Sequence, residues 1–429
     1  MNKKIKPLEG IRGTIDLPAD KSIAQRSALF AMLSEEPSVI TNYPAAEDPQ
    51  TALSCINQLG AKVASVDSRI RIEGTGRDGL RVPDGVIDCG NSGTVMRLLA
   101  GIVAGAGIPA TLTGDLSLSR RPMKRIIDPL VQMGADIHAA EGGRPPLEIR
   151  RDKAFVPIRF RLPVASAQLK SCVLLAGLFG TEPTEVIETV ASRNHTETML
   201  GLPVQQSGKE RIVSSSRSIV IPPQNLEIPG DFSAAAFWLV AGTILDESEI
   251  VIPAAGVNPT RCAALHILRR MGADIELEMK QETGSEPVAA LRVRSAKLKP
   301  VIIHPEEIPN AIDELPVLCV AMTFADGVSR ITGAEELRFK ESDRLAAIQA
   351  VLEAGGVRIE AHTDGLTIYG EPDRKIRASQ HDSRDDHRIA MSAAILSLKA
   401  DGVSEITNAE AAAVSYPEFW SHLDSLTHF

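Results

Sequence analysis

Few aromatic residues are available to fill a core: they make up 3% of the 429 positions. The interior must then be built from Leu, Ile, Val, Ala and Met. No long basic run occurs and the net charge is −9, which argues against a nucleic-acid binder held by electrostatics. Cysteine is scarce too. Cys55, Cys89, Cys172, Cys262 and Cys319 are odd in number and contain no CxxC pair or zinc-type spacing. All but Cys89 fall in runs that read as helical, and the expectation is buried free thiols in a reducing cytosol. The opening MNKKIKPLEG lacks the apolar stretch of a secretory signal. Apolar runs such as residues 98–107 are too short and too rich in Gly and Ala to span a bilayer. These absences lead to the expectation of a cytoplasmic protein with no membrane or nucleic-acid partner.

What is present is a repeat. The phrase Gln58-Leu-Gly-Ala-Lys-Val63 returns as Gln132-Met-Gly-Ala-Asp-Ile137, Arg270-Met-Gly-Ala-Asp-Ile275 and Glu353-Ala-Gly-Gly-Val-Arg358, with a weaker copy at Met199-Leu-Gly-Leu-Pro-Val204. The period is about seventy residues. Each phrase predicts a helix ended by a left-handed Gly, the last at Gly355, followed by a strand. Helices rich in Ala and Leu begin near Ser22, Ser92, Ser166, Asp231, Asp313 and Asp386, at the same period. A β-rich run follows each, as at Ser38-Val-Ile-Thr41, and paired strands such as Ser68-Arg-Ile-Arg-Ile-Glu73 close the units. The fold class is therefore α/β: six consecutive βαβαββ units. One unit cannot bury both faces of its elements, so three are expected to pack into each of two similar domains. The Pro-rich stretch at residues 222–229 suits the boundary. The expected domains are 19–228, and 1–18 with 229–429.

The units diverge at their helix openings. In Pro18-Ala-Asp-Lys-Ser-Ile-Ala-Gln-Arg26, Asp20 or Ser22 can cap, yet Lys21 and Arg26 occupy the first turns. A cation there is unfavourable by about 0.3–1 kcal/mol. The second opening, Asp88-Cys-Gly-Asn-Ser-Gly-Thr-Val-Met-Arg97, reads as a Gly-rich turn with an N-cap or as a backbone cradle, through Asn91, Gly93 and Thr94. It is not a P-loop, since no GK[ST] follows. Arg121 lies in Ser119-Arg-Arg-Pro-Met-Lys-Arg125, either a solvated basic turn or a clamp for carboxylate or phosphate. In the third unit Ser166 is an ordinary cap, while Gln168 and Lys170 are less expected, and Arg193 and His195 follow. A lone His is more often structural. Asp313 and Glu314 are explained by helix capping. Lys340 and Arg344, four apart, would share a helix face; Glu341 either pairs with Arg344 or is left for proton transfer beside a bound anion. Arg388 is another first-turn cation. Four openings share this local violation, and such violations gather at functional sites. The implied ligand is a multiply charged anion, and more than one of them. A phosphate-ligand sensor without turnover would keep the cations but has no need of Asp313 and Glu341.

These motifs resemble the 5-enolpyruvylshikimate-3-phosphate synthase family: Lys21-Ser22 with Arg26, Asn91-Ser-Gly-Thr94, Arg121-Pro122, Ser166-Ala-Gln168, Asp313, Lys340-Glu-Ser-Asp-Arg344 and Asp386-His-Arg388, in order over nearly the whole chain. The resemblance implies an inverted α/β architecture with a ligand cleft between two three-unit domains that close on substrate. It implies transfer of the enolpyruvyl group of phosphoenolpyruvate to the 5-hydroxyl of shikimate-3-phosphate, with phosphate released, no metal or cofactor, and a monomer. By position, Lys21, Ser22, Arg26, Ser166, Gln168, Arg193, Asp313 and Lys340 would hold shikimate-3-phosphate. Lys21, Asn91, Gly93, Arg121, Gln168, Arg344 and Arg388 would hold phosphoenolpyruvate. Asp313, Glu341 and Lys21 would move protons. The chain departs from many relatives at Ala167, Val414 and Leu98, and the first two resemble a divergent branch, part of which tolerates glyphosate, often with Ala at the Gly93 position. Gly93 is kept, so partial sensitivity is expected. The sister family, UDP-N-acetylglucosamine enolpyruvyl transferase, typically has Lys-Asn where Lys21-Ser22 stands and a reactive Cys in the loop over residues 113–121, which has none here.

Overall fold

The computed structural model describes residues 1–67, 69–150, 154–280 and 285–426. The chain forms two compact units. One, here the first unit, holds Ala19–Ile228 and also Ser285 and Glu286. The second holds Met1–Pro18 and the remaining described chain from Pro229 onward.

The first unit repeats one sheet three times. Leu226–Glu227 runs parallel to Ser38–Thr41, which pairs antiparallel with Arg69–Glu73, itself antiparallel to Lys62–Val66. Ser68, expected in the third of these strands, lies outside the described residues. Sheets that begin with Ile87–Asp88 and Arg159–Arg161 have the same order. The second unit carries two more such sheets, beginning with Arg12–Thr14 and Ile302–Ile303. Its last sheet has three strands: Gln380–Asp382, Ser404–Thr407 and the N-terminal Lys3–Ile5.

Six α/β units are therefore present, but they are not six consecutive segments. The first strand of the opening sheet, Leu226–Glu227, comes from 185 residues downstream of its partner Thr41, and the first strand of the fourth sheet is Arg12–Thr14. A strand of two or three residues has no alternating pattern to read. Its place is decided by backbone hydrogen bonds to whichever edge is open.

The helices of the first unit are α1 (Lys21–Leu33), α2 (Glu47–Gln58), α3 (Gly93–Ala106), α4 (Lys124–Gln132), α5 (Ala167–Gly177) and α6 (His195–Leu200). Those of the second are α7 (Phe232–Ile244), α8 (Ala263–Arg270), α9 (Ile308–Ala311), α10 (Leu315–Thr323), α11 (Arg344–Ala354), α12 (His387–Ser397) and α13 (Phe419–Ser425). α1, α3 and α5 are buried almost all round, as are α7, α10 and α12. Their Ala, Leu, Val and Met content suits both helix and interior. By contrast α4 buries only Ile126, Pro129 and Leu130 and turns its charged face outward. Gly134, at φ +99°, takes the chain out of α4 into the next strand; after α11 that role falls to Gly356, at φ +84°, and not to Gly355.

Most of these buried helices are capped as their openings predict. Asp20, not Ser22, accepts from Ile23 N at 2.9 Å to cap α1. Ser92, Ser166, Asp231 and Asp386 cap α3, α5, α7 and α12. Asp313 does not cap α10: the cap position is Glu314, without a side-chain bond.

The two cores differ. Among the described residues, Phe30 is the only aromatic fully buried in the first, with Tyr43, Phe155, Phe160 and Phe179 partly buried against it. The second holds Phe232, Phe237, Trp238, Phe324, Tyr416 and Phe419. Trp238 Nε1 donates to Tyr416 Oη at 3.0 Å. An aliphatic interior is thus a property of the first unit only. All five cysteines are buried and free, though Cys262 precedes α8 instead of lying within it.

His381 is a buried weak point of the second unit. Neither ring nitrogen has a partner among the described residues, and burial pushes its pKa down to about 4. Its neutral form is favoured in the folded state. The stability this represents is complete above pH 6.5 and is lost as pH falls toward 4, because the unfolded chain takes up the proton first. The expected loss is about 3 kcal/mol. Urea unfolding of wild type and His381→Phe at pH 7 and pH 4.5 measures it; equal pH dependence in both would remove His381 as the cause.

Candidate active site

Within the first unit, three helix openings are drawn together. Gln25 of α1 donates to Ser92 Oγ, the cap of α3, at 2.8 Å. Gln168 of α5 donates to Thr94 Oγ1 at 2.8 Å and accepts from Arg97 Nη1 at 2.8 Å. Arg97 also donates to the Gly93 carbonyl. Gln168 is thereby locked in orientation by two side chains of α3.

The cations around these openings are held and crowded. Lys21 Nζ lies 3.1 Å from Asp48 Oδ2, which belongs to the acidic first turn of α2. Arg26 is only 3% exposed, and donates to Thr196 Oγ1 at 3.1 Å and to the Ser22 carbonyl at 3.1 Å. Its pKa is lowered to about 10, by burial first and by the charge of Arg193 second. Two guanidinium groups near enough to repel at the base of a helix opening are what a bound dianion would relieve. Arg121 Nη2 donates to Asn91 Oδ1 at 2.8 Å and to Ser117 Oγ at 3.2 Å, while Asn91 Nδ2 donates to Asp115 Oδ2 at 2.6 Å. Arg121 is therefore joined to the Asn91 opening and is not a solvated turn. Ser166 stays half-buried as the cap of α5.

Lys170 and His195 have structural partners. Lys170 is fully buried against Glu188 at 3.0 Å and Glu197 at 2.7 Å, and donates to the Ser192 carbonyl. Burial pushes the Glu188 carboxyl up, but Lys170, Arg211 and Ser192 outweigh it and hold it below the usual range. This cluster fixes the segment that bears Arg193. His195 Nδ1 lies 2.8 Å from Glu286 Oε1, both buried.

The second unit centres on Arg344. The expected helix face shared by Lys340 and Arg344 does not form, because α11 begins at Arg344, capped by Asp343. Arg344 is 1% exposed and meets three carboxylates. Nε donates to Asp386 at 2.8 Å, Nη2 to Glu341 at 2.6 Å, and Nη1 to Asp313 at 3.3 Å. Burial alone would lower its pKa; Asp386, Glu341 and Asp313 together raise it instead. Lys340 Nζ lies 3.7 Å from the same Asp313 oxygen. Asp313 and Glu341 are thus brought to opposite nitrogens of one guanidinium. Arg388, 5% exposed, lines a shallow pocket with Asp231, Ser233, Ser415 and Tyr416, and its Nε has no partner among the described residues.

Arg97, Asp48 and Asp115 escaped the sequence reading. Asp48 lies in the acidic first turn of α2 and meets Lys21 of α1, and the bond from Arg97 to Gln168 joins helices of adjacent repeats. No spacing rule within one repeat reveals either. Among the described residues no group of three His, Cys, Asp or Glu side chains is placed to hold a metal ion. No described helix is long and apolar enough to cross a membrane.

Comparison with known proteins agrees over the full length. Residues 5–423 match the model of the family described as EPSP synthase (3-phosphoshikimate 1-carboxyvinyltransferase). The 3-phosphoshikimate 1-carboxyvinyltransferase of Salinibacter ruber is 47% identical, with 100% of both chains covered. That of Gloeobacter violaceus is 46% identical over 98% of this chain and 97% of its own. An EPSP synthase structure from Acinetobacter baumannii is similar with a TM-score of 0.87 at 35% identity, covering 99% and 98% of the chains. The enolpyruvyl transferase NikO from Streptomyces tendae, at 17% identity and a TM-score of 0.75 over 99% and 96%, shares the fold.

Proposed function

The chain belongs to the EPSP synthase family of 3-phosphoshikimate 1-carboxyvinyltransferases, and on that premise we propose which of its residues carry each part of the reaction. It transfers the enolpyruvyl group of phosphoenolpyruvate to the 5-hydroxyl of shikimate-3-phosphate and releases phosphate, a step toward aromatic amino acids. Lys21, Ser22, Arg26, Ser166, Gln168, Arg193 and Lys340 bind shikimate-3-phosphate. The crowding of Arg26 by Arg193 supports a doubly charged phosphate there. Lys21, Asn91, Gly93, Arg121, Gln168, Arg344 and Arg388 bind phosphoenolpyruvate, supported by the Nε of buried Arg388, which has no partner among the described residues.

The observation that carries the chemistry is the pair of carboxylates on Arg344. Asp313 takes the proton of the 5-hydroxyl as its oxygen bonds to C2 of phosphoenolpyruvate. Glu341, with Lys21, delivers a proton to C3, which gives a tetrahedral intermediate. Elimination then returns a proton from the new methyl group and breaks the C2–O bond to phosphate. General acid–base groups and fixed cations suffice for both steps. Phosphate release from phosphoenolpyruvate is measured with shikimate-3-phosphate, UDP-N-acetylglucosamine or no acceptor. Release in the first arm alone is expected; release with the sugar nucleotide would overturn the acceptor assignment.

Gly93 supplies a further prediction. A Cβ there would lie 2.5 Å from Arg97 Nη1 and 3.5 Å from Arg121 Nη1. Arg97 is flexible enough to yield, but in moving it releases Gln168. Gly93→Ala is expected to raise KM for phosphoenolpyruvate about tenfold while the fold persists, since small displacements in a site are costly. The wild type should in turn be inhibited by glyphosate at concentrations not far above that KM. An unchanged KM in Gly93→Ala would show that Arg97 does not transmit the change.

A further inference from the structure

Glu314 follows Asp313 directly, and the reaction as described makes no use of it. Its side chain is completely buried, yet it does not cap its own helix α10. Arg261, 2% exposed, donates from Nη1 to Glu314 Oε1 at 2.8 Å. Its Nη2 reaches Asp231 Oδ1 at 3.2 Å and also Ser233 Oγ, and that hydroxyl donates to Glu314. Asp231 in turn caps α7 by accepting from Ser233 N at 2.7 Å. Arg261 itself is set by a turn in which its N–H donates to the Asn258 carbonyl at 2.8 Å. One guanidinium therefore ties the openings of α7 and α10 to each other, all within the second unit.

A buried ion pair is a poor device for stability alone, because apolar groups of the same volume usually serve as well or better. What it can do is fix one arrangement, since a rotated Glu314 would be a buried carboxylate without its partner. Successive side chains of the turn between α9 and α10 leave it in different directions. Anchoring Glu314 inward therefore sets the direction in which Asp313 emerges, toward Lys340 and Arg344. We propose that Glu314 and Arg261 are positioning residues for Asp313, an inference that rests on the reading of Asp313 as the proton acceptor.

The test compares Glu314→Gln and Arg261→Lys in the wild-type and Asp313→Asn backgrounds, with kcat, both KM values and melting temperature recorded. Glu314→Gln is expected to lower kcat about tenfold or more, since about 1 Å of misplacement can cost a hundredfold, while both KM values stay within about threefold. In the Asp313→Asn background the same change should cost nothing further. A lowered melting temperature with unchanged kcat would mark a purely structural pair and overturn the proposal, as would an equal loss in both backgrounds. Should Glu314→Gln not fold, Arg261→Lys, which keeps the charge, carries the same comparison. Wild-type kcat in Asp313→Asn alone would instead defeat the assignment of Asp313, an outcome distinct from a neutral Glu314→Gln beside an impaired Asp313→Asn.

Discussion

Asp313→Asn lowers kcat by about 10²–10⁴-fold, the range that a positioned general base supplies. The substitution preserves shape, and the amide oxygen can still accept from Arg344 Nη1, which stands 3.3 Å away. It removes the capacity to take the hydroxyl proton. Affinity for shikimate-3-phosphate should change far less, because Arg26, Arg193 and Lys340 carry the phosphate and ring contacts in the proposed arrangement. Steady-state kinetics together with equilibrium binding of shikimate-3-phosphate separates the two effects. Equal losses in kcat and in affinity would contradict the role. A helix-cap role is already excluded by the structure, in which Asp313 lies outside the cap position of α10.

Arg344→Met should destabilise the second unit by about 3–5 kcal/mol, the usual cost of breaking a buried charge network by removing one partner. The methionine fills part of the volume but leaves Asp386, fully buried, and Glu341 and Asp313 without their shared cation. Three carboxylates then face one another, with Lys340 3.7 Å from Asp313. For a unit of this size the loss corresponds to a fall in melting temperature of about 10 °C. Arg344→Lys should recover only part of it, because a single ammonium cannot place donors on three carboxylates in the way a guanidinium does. Thermal unfolding of the three proteins at neutral pH measures the order. A melting temperature for Arg344→Met within about 2 °C of wild type would show that the network is worth little to the fold. Since Arg344 is also a proposed ligand of phosphoenolpyruvate, activity would fall in either case, and only the stability measurement discriminates.

The legible part of this protein is what repeats. Helices rich in Ala and Leu, capped by Asp20, Ser92, Ser166, Asp231 and Asp386, follow from local propensity and from side chains two or three residues from the amides they accept. Those interactions are short in sequence, so the sequence contains them. First-turn cations also announced an anionic ligand correctly, since the helix dipole makes them costly wherever they stand. The family and its reaction were legible only through the resemblance of these motifs to a known family; the openings by themselves implied no more than an anion.

Tertiary structure decided the rest, and it did so wherever a partner lies far away in sequence. Leu226–Glu227 completes the sheet of the opening repeat, and Lys3–Ile5 completes the last one, because a short strand pairs with an open edge irrespective of chain order. Lys170 read only as an unexpected cation in an apolar helix and became half of a buried pair with Glu188 once α5 was packed. Asp313 and Arg344 read as a cap and a helix-face cation, and became one cluster with Glu341 and Asp386 across 31 and 42 residues. Propensity and periodicity act over a turn or two of chain. Charge pairing, burial and the choice of which carboxylate meets which cation act through space, and only the folded chain settles them.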